Sequence, residues 1–159
     1  MSNFEKVKEF NDAFNTSKVK EFNKDVFDTH PDMINLCLSL IKEEVEELED
    51  ALLNKDVVET KDALADILYV VYGMQYRLGI KGDNDFSIVH NSNMSKLCNS
   101  QKEAEETVEY YENSFKTGLL SYDTPYFEKL DNLNKWVVKN KSTGKVLKSI
   151  NYTPVKWTD

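Results

Sequence analysis

Carboxylates recur at one-turn spacing in two neighbouring segments, EEVEEL at 43–48 and DALADILYVVYG at 62–73. Read as helices, Glu43, Glu44 and Glu47 are related by i,i+3 and i,i+4 steps, and Asp62 and Asp66 lie one turn apart. Like charges stacked this way destabilise an isolated helix by a few tenths of a kcal/mol per pair, about 0.2–0.5. Asp62 and Asp66 also interrupt an apolar run, where an unpaired carboxylate is costly to bury. A hard divalent cation with oxygen ligands, Mg²⁺ with Mn²⁺ able to substitute, is the natural compensation. Two carboxylate groups on facing helices would form a metal site of the kind that cleaves phosphate esters and anhydrides.

The surrounding periodicity supplies those helices. Leu36, Leu40, Ile41, Val45, Leu48 and Leu52 repeat every three or four residues and predict a helix from Met33 to Leu53. Asn54-Lys55 makes a turn and Asp56 an N-cap for a second helix, about Val57 to Leu78, which Gly79 ends. So short a link predicts an antiparallel hairpin with its acidic turns facing each other. Phe4, Val7, Phe10 and Phe14 predict an amphipathic helix within 3–15, and 16–32 reads as loop. A third helix is expected at about Phe86 to Leu97, and an exposed, Glu-rich one from Lys102 to Phe115. Near the C-terminal end, Trp136-Val137-Val138 and Lys145-Val146-Leu147 flank Ser142-Thr143-Gly144, a β-hairpin signal. The expected fold class is all-α: a helical bundle around the acidic hairpin, with a small β-hairpin appendage at 136–150.

Composition narrows the function. The chain has 159 residues, 40% of them hydrophobic and 30% charged, enough for one globular domain with a core. A net charge of −8 argues against nucleic acid or an anionic membrane as partner. It leaves a phosphate ligand open, because a metal reverses the local sign. Cys37 and Cys98 have no metal-ligand spacing and read as reduced thiols of a cytoplasmic protein. The mixed-charge stretch from Phe4 to Glu9 is no signal peptide, and no apolar run is long enough to span a membrane.

Four segments together resemble a known superfamily: LIKEEVEELEDAL, DALADILYVVYGMQYRLGI, VHNSNMSKL and TGKVLKSINYTP. They are similar to the all-α nucleotide pyrophosphohydrolases, above all the MazG-like, phosphoribosyl-ATP pyrophosphohydrolase-like group. The similarity covers most of 33–97 and returns at 136–154, so 98–135 reads as a subgroup insertion within a single domain spanning 1–159. The resemblance implies Mg²⁺ bound by an EExxE motif at Glu43, Glu44 and Glu47. The family's second motif, ExxD, does not align cleanly, because Ala63 stands three residues before Asp66. Asp62 with Asp66 is the preferred pair and Glu59 with Asp62 the other register, which leaves Glu59 in the outer shell. The resemblance also places Asn93 and Lys96 on the nucleotide and its phosphates. Many relatives have a basic residue near the position of Cys37, so one phosphate contact is missing.

The expected reaction is hydrolysis of a (deoxy)nucleoside triphosphate to the monophosphate and pyrophosphate, a nucleotide-pool house-cleaning role. Glu44 or Glu47 would take the proton of the attacking water. Lys96, Lys145 and Lys148 would face the outer phosphates, although Lys145 and Lys148 also fit as decoration of a hairpin. Phe10, Phe14, Asn11 and Asn93 are the available residues for a base pocket. Phe10 and Phe14 fit better as core, since aromatic stripes at helical spacing usually pack inward. The Glu-rich helix is equally compatible with a solvated face. His90 reads as a surface or capping residue, Cys37 as a small core residue, and Tyr69, Tyr72 and Tyr76 as packing. The second helix is apolar on more than one side, through Ile67, Leu68, Val70, Val71 and Tyr72, which predicts a homodimer or homotetramer. The competing function is a catalytically silent nucleotide sensor or scaffold of the same fold, which would have no need for five clustered carboxylates.

Overall fold

In the computed structural model, which describes residues 1–157, six helices precede a three-stranded antiparallel sheet. The chain divides into two compact units, Met1–Asp85 and the part from Phe86 onward, and the division falls within a helix. No helix among the described residues is long and apolar enough to cross a membrane.

The first unit is built on the hairpin. Helix α3 spans Pro31–Leu53 and α4 spans Val57–Arg77, joined by 54–56. Pro31 opens α3 where its missing N–H costs nothing. Asp56 caps α4, its side chain accepting from the N–H groups of Val58 (2.9 Å) and Glu59 (3.0 Å). The α4 terminus needs its glycine. Gly79 has φ +71, and a Cβ there would lie 2.9 Å from the Val19 carbonyl oxygen. These boundaries match the sequence expectation to within two residues at each end.

Helix α1, Asn3–Ala13, packs on α4. Its N-terminus carries a capping box between Ser2 and Glu5. Near its C-terminus, Asp12 accepts from Lys8 (2.5 Å) and from the Tyr76 hydroxyl, with Lys18 also close (3.4 Å). The Lys8 ammonium, then the Tyr76 hydroxyl, hold the Asp12 carboxyl well below the usual carboxylate range. A single turn, α2 at Val26–Thr29, lies within the segment read as loop and packs on α3. The buried hydrophobic residues of this unit are few and mostly small: Val7, Val26, Cys37, Ala51, Ala63, Tyr76 and Leu78. Cys37 is the expected core residue, and Tyr76 is buried as packing.

The second unit begins in α5, Gly82–Met94, which starts four residues before the expected Phe86. It continues through α6, Gln101–Lys116, into strands β1 (Pro125–Leu130), β2 (Lys135–Asn140) and β3 (Val146–Leu147). Two expectations are corrected here. First, the appendage is a sheet in the order β1-β2-β3 that starts at Pro125, inside the stretch read as an insertion. Its longest ladder pairs Pro125 with Asn140 through Leu130 with Lys135, and the expected turn at Ser142-Thr143-Gly144 joins β2 to β3. Second, α6 is not an exposed helix. It buries Glu103, Ala104, Thr107, Tyr111 and Ser114. Ala104 and Tyr111 pack with Cys98, Val138 and Leu147, flanked by Val108, Leu120, Tyr122, Phe127 and Trp136.

Burying Glu103 needs partners. Its carboxylate accepts from the Ser149 hydroxyl (2.5 Å) and the Asn99 N–H (3.0 Å). Burial acts against its charge, but the bonds from Ser149 and Asn99, with Asn151 contributing, outweigh it. They hold the carboxyl below its usual range.

Candidate active site

The α3–α4 hairpin brings the two acidic motifs together. Glu44, half-buried on α3, is the centre of the group. Partial burial and then the negative charges of Glu47, Asp66, Glu43 and Asp62 push its carboxyl above the usual range. Residues from both helices therefore act on one side chain. Asp66 is half-buried, while Glu43, Glu47 and Asp62 are exposed, so the carboxylates line a surface and do not all face the interior as the apolar flanks of Asp62 implied. Glu59, the alternative partner of Asp62, is exposed one turn nearer the hairpin link.

Among the described residues, none of Glu43, Glu44, Glu47, Asp62 and Asp66 forms an ion pair or accepts a hydrogen bond. Nor do any three His, Cys, Asp or Glu side chains there stand as a formed metal cluster. The donor chemistry nevertheless fits a hard divalent ion. All five groups are carboxylates, the ligand type that suits Mg²⁺ and Mn²⁺, and no protein cation occupies their charge.

Phe10 and Phe14 do not enter the core. They are 47% and 70% exposed, their rings tilted at 38° to each other with centroids 4.6 Å apart. The α1 stripe is narrow, and Val7 and Asn11 take its buried positions. Asn11 is buried and donates to the Val7 carbonyl (2.8 Å). The Phe10 ring also meets Tyr69 of α4 edge-on, 5.7 Å between centroids.

The remaining site candidates lie in the second unit, and each already has a partner there. The Lys96 ammonium donates to the Asn93 side-chain oxygen (2.7 Å). Lys145 donates to the Tyr122 hydroxyl (2.7 Å) and lies over that ring. Lys148 sits 4.4 Å from the centre of the Tyr152 ring. His90 is exposed, as its reading as a surface residue required.

Comparison with known proteins bears on the same region. The family model for phosphoribosyl-ATP pyrophosphohydrolase matches residues 7–93, more than half of the chain and all of both acidic motifs. Members of that family are typically metal-dependent pyrophosphohydrolases. The chain is also similar to "Uncharacterized protein L479" of Acanthamoeba polyphaga mimivirus, at 29% identity over 93% of this chain and 91% of the relative. With α1, the acidic hairpin and most of α5 inside the matched region, the chain belongs to the phosphoribosyl-ATP pyrophosphohydrolase family, within the MazG-like nucleotide pyrophosphohydrolase superfamily.

Proposed function

We propose that the protein hydrolyses nucleoside triphosphates, deoxynucleotides in particular, to the monophosphate and pyrophosphate. The reading rests on Glu44, raised by partial burial and by carboxylates from both helices of the hairpin, while among the described residues none of the five has an ion pair. Such a cluster would repel a polyphosphate unless a divalent cation sat between them. Glu43, Glu44, Glu47, Asp62 and Asp66 would hold Mg²⁺, with Mn²⁺ able to substitute. When bound, the ion supplies positive charge against the phosphoryl oxygens and an acidified water. Glu44 or Glu47 accepts the proton of the attacking water. The hairpin sets the backbone positions of these residues on facing turns, and a bound cation would organise their carboxylates around the anhydride.

A pyrophosphate-release assay across the common NTPs and dNTPs, with and without Mg²⁺, tests the reading. Release that requires the metal and is fastest with a deoxynucleotide supports it. No release from any triphosphate rejects it. Phosphoribosyl-ATP is a second candidate substrate, because the chain belongs to the phosphoribosyl-ATP pyrophosphohydrolase family. Turnover confined to that compound would select it instead.

The same reading includes a homo-oligomer, dimer or tetramer. Leu52, Leu53, Val57, Val58, Leu64 and Leu68 of the hairpin are each at least half exposed. So much large apolar surface on one pair of helices is unusual for a monomer and is buried by a second copy. Light scattering is expected to give a multiple of the 18.4 kDa chain mass at micromolar concentration. The monomer mass alone would contradict this.

A further inference from the structure

Asp62 and Asp66 share their side of α4 with two residues that have no part in the metal reading. At 100° per residue, positions 62, 66, 69 and 73 form one stripe, so Tyr69 and Gly73 continue the line of the two aspartates. Tyr69 is 39% exposed, and its ring packs at 81° against that of Phe10, which lies tilted against Phe14. A ring with an aromatic neighbour and a partly open surface can offer a face for stacking. Beside it, Tyr69 also lines an open groove of about 200 Å³ with Val7, Ala65, Leu68 and Tyr72.

Gly73 adds an independent observation. Glycine inside a helix is destabilising relative to alanine. No close packing requires it here, because a Cβ at Gly73 would meet nothing within 4 Å. The stripe thus runs from carboxylates to an aromatic ring to a half-buried glycine whose Cβ direction is open. The open space at a missing side chain beside a partly exposed ring allows a flat ligand to approach closely.

We propose that Tyr69, braced by Phe10 and bordered by Gly73, seats the base of the nucleotide whose phosphates lie at the Asp62–Asp66 turn. The inference rests on the nucleotide reading above and deepens it. One helical turn from Asp66 to Tyr69 is about 5 Å along the axis, within the span between the base and the phosphates of one nucleotide. A ring face stacks on any base, so this seat selects for a base against none, and only weakly among the four.

The test uses the full-length protein, Mg²⁺ and a deoxynucleoside triphosphate, with Tyr69→Phe, Tyr69→Leu and Gly73→Ala. Tyr69→Leu keeps apolar bulk but loses the ring. It is expected to raise KM by about 5- to 100-fold, the range for one lost base stack, with kcat nearly unchanged. Tyr69→Phe is expected to restore wild-type KM. Gly73→Ala is expected to raise the melting temperature of the nucleotide-free protein and to weaken binding of a non-hydrolysable α,β-imido analogue. An unchanged KM and analogue affinity in Tyr69→Leu would overturn the seat while leaving pyrophosphate release intact. Analogue binding that weakens in Tyr69→Leu, in a protein that releases no pyrophosphate, would keep the seat and reject the reaction. Loss of the oligomer in Tyr69→Leu, with affinity unchanged, would assign the ring to a subunit interface and overturn the proposal.

Discussion

Replacing Asp66 by Ala is expected to lower metal-dependent pyrophosphate release by about 10²–10³-fold, the usual effect of removing one organised electrostatic group from a reacting centre. It is also expected to leave the metal-free fold as stable as wild type or more so. Asp66 is one of the charges that raise Glu44. A carboxyl raised in the folded state binds its proton more readily there than in the unfolded chain. Its contribution to folding is therefore present below the unfolded pKa and is lost as pH rises through the raised value. Without Asp66 that loss shrinks, so the variant gains on wild type above this window. Mg²⁺ should reverse the order. A ligand of the folded state stabilises it by mass action, and wild type should gain more in melting temperature from added Mg²⁺ than Asp66→Ala does. Thermal melts with and without Mg²⁺ on both proteins give all four values. Near wild-type turnover in the variant would remove Asp66 from the ligand set.

The second large effect is on stability and falls in the other unit. Glu103→Ala leaves the Asn99 N–H and the Ser149 hydroxyl facing a site from which their acceptor has gone. Hydrogen bonds to a charged group contribute about 1.5–3 kcal/mol, so a loss of about 2–3 kcal/mol is expected. The pH dependence has the opposite sign to that of Glu44. Glu103 lies below its usual range in the fold, so its stabilisation is present above the unfolded pKa and lost as pH falls through the folded value. Both tryptophans, Trp136 and Trp157, belong to this unit. Tryptophan fluorescence during urea unfolding at pH 7 and again at acid pH reads the effect directly. A variant as stable as wild type at pH 7 would show that the buried network contributes nothing net.

The hairpin was legible because its signals are local. Asp56 caps α4 through its own side chain, Gly79 ends it by backbone conformation, and the apolar period of α3 runs unbroken. The spacing of Glu43, Glu44, Glu47, Asp62 and Asp66 follows from helix geometry alone, so their grouping needed only a short link between two helices. The second unit was read less well because its core is partly polar. The buried face of α6 consists of Glu103, Ala104, Thr107, Tyr111 and Ser114. Hydropathy scores such a face as solvated, whereas tertiary hydrogen bonds from Asn99 and Ser149 make its burial possible. Strand β1 is six residues of mixed character, PYFEKL, and becomes a strand through its pairing with β2. The exposure of Phe10 and Phe14 escaped for a related reason: helical spacing marks an apolar stripe but not its width, and Val7 and Asn11 take the buried positions.

In this reading the α3–α4 carboxylates direct cleavage between the α- and β-phosphates. The most direct measurement is ³¹P NMR of a deoxynucleoside triphosphate incubated with the protein and Mg²⁺, followed to completion. Equal amounts of monophosphate and pyrophosphate, no diphosphate intermediate, and no conversion by Asp66→Ala over the same time are expected. Stepwise appearance of inorganic phosphate and diphosphate, or the same products at the same rate from the Asp66 variant, would contradict it.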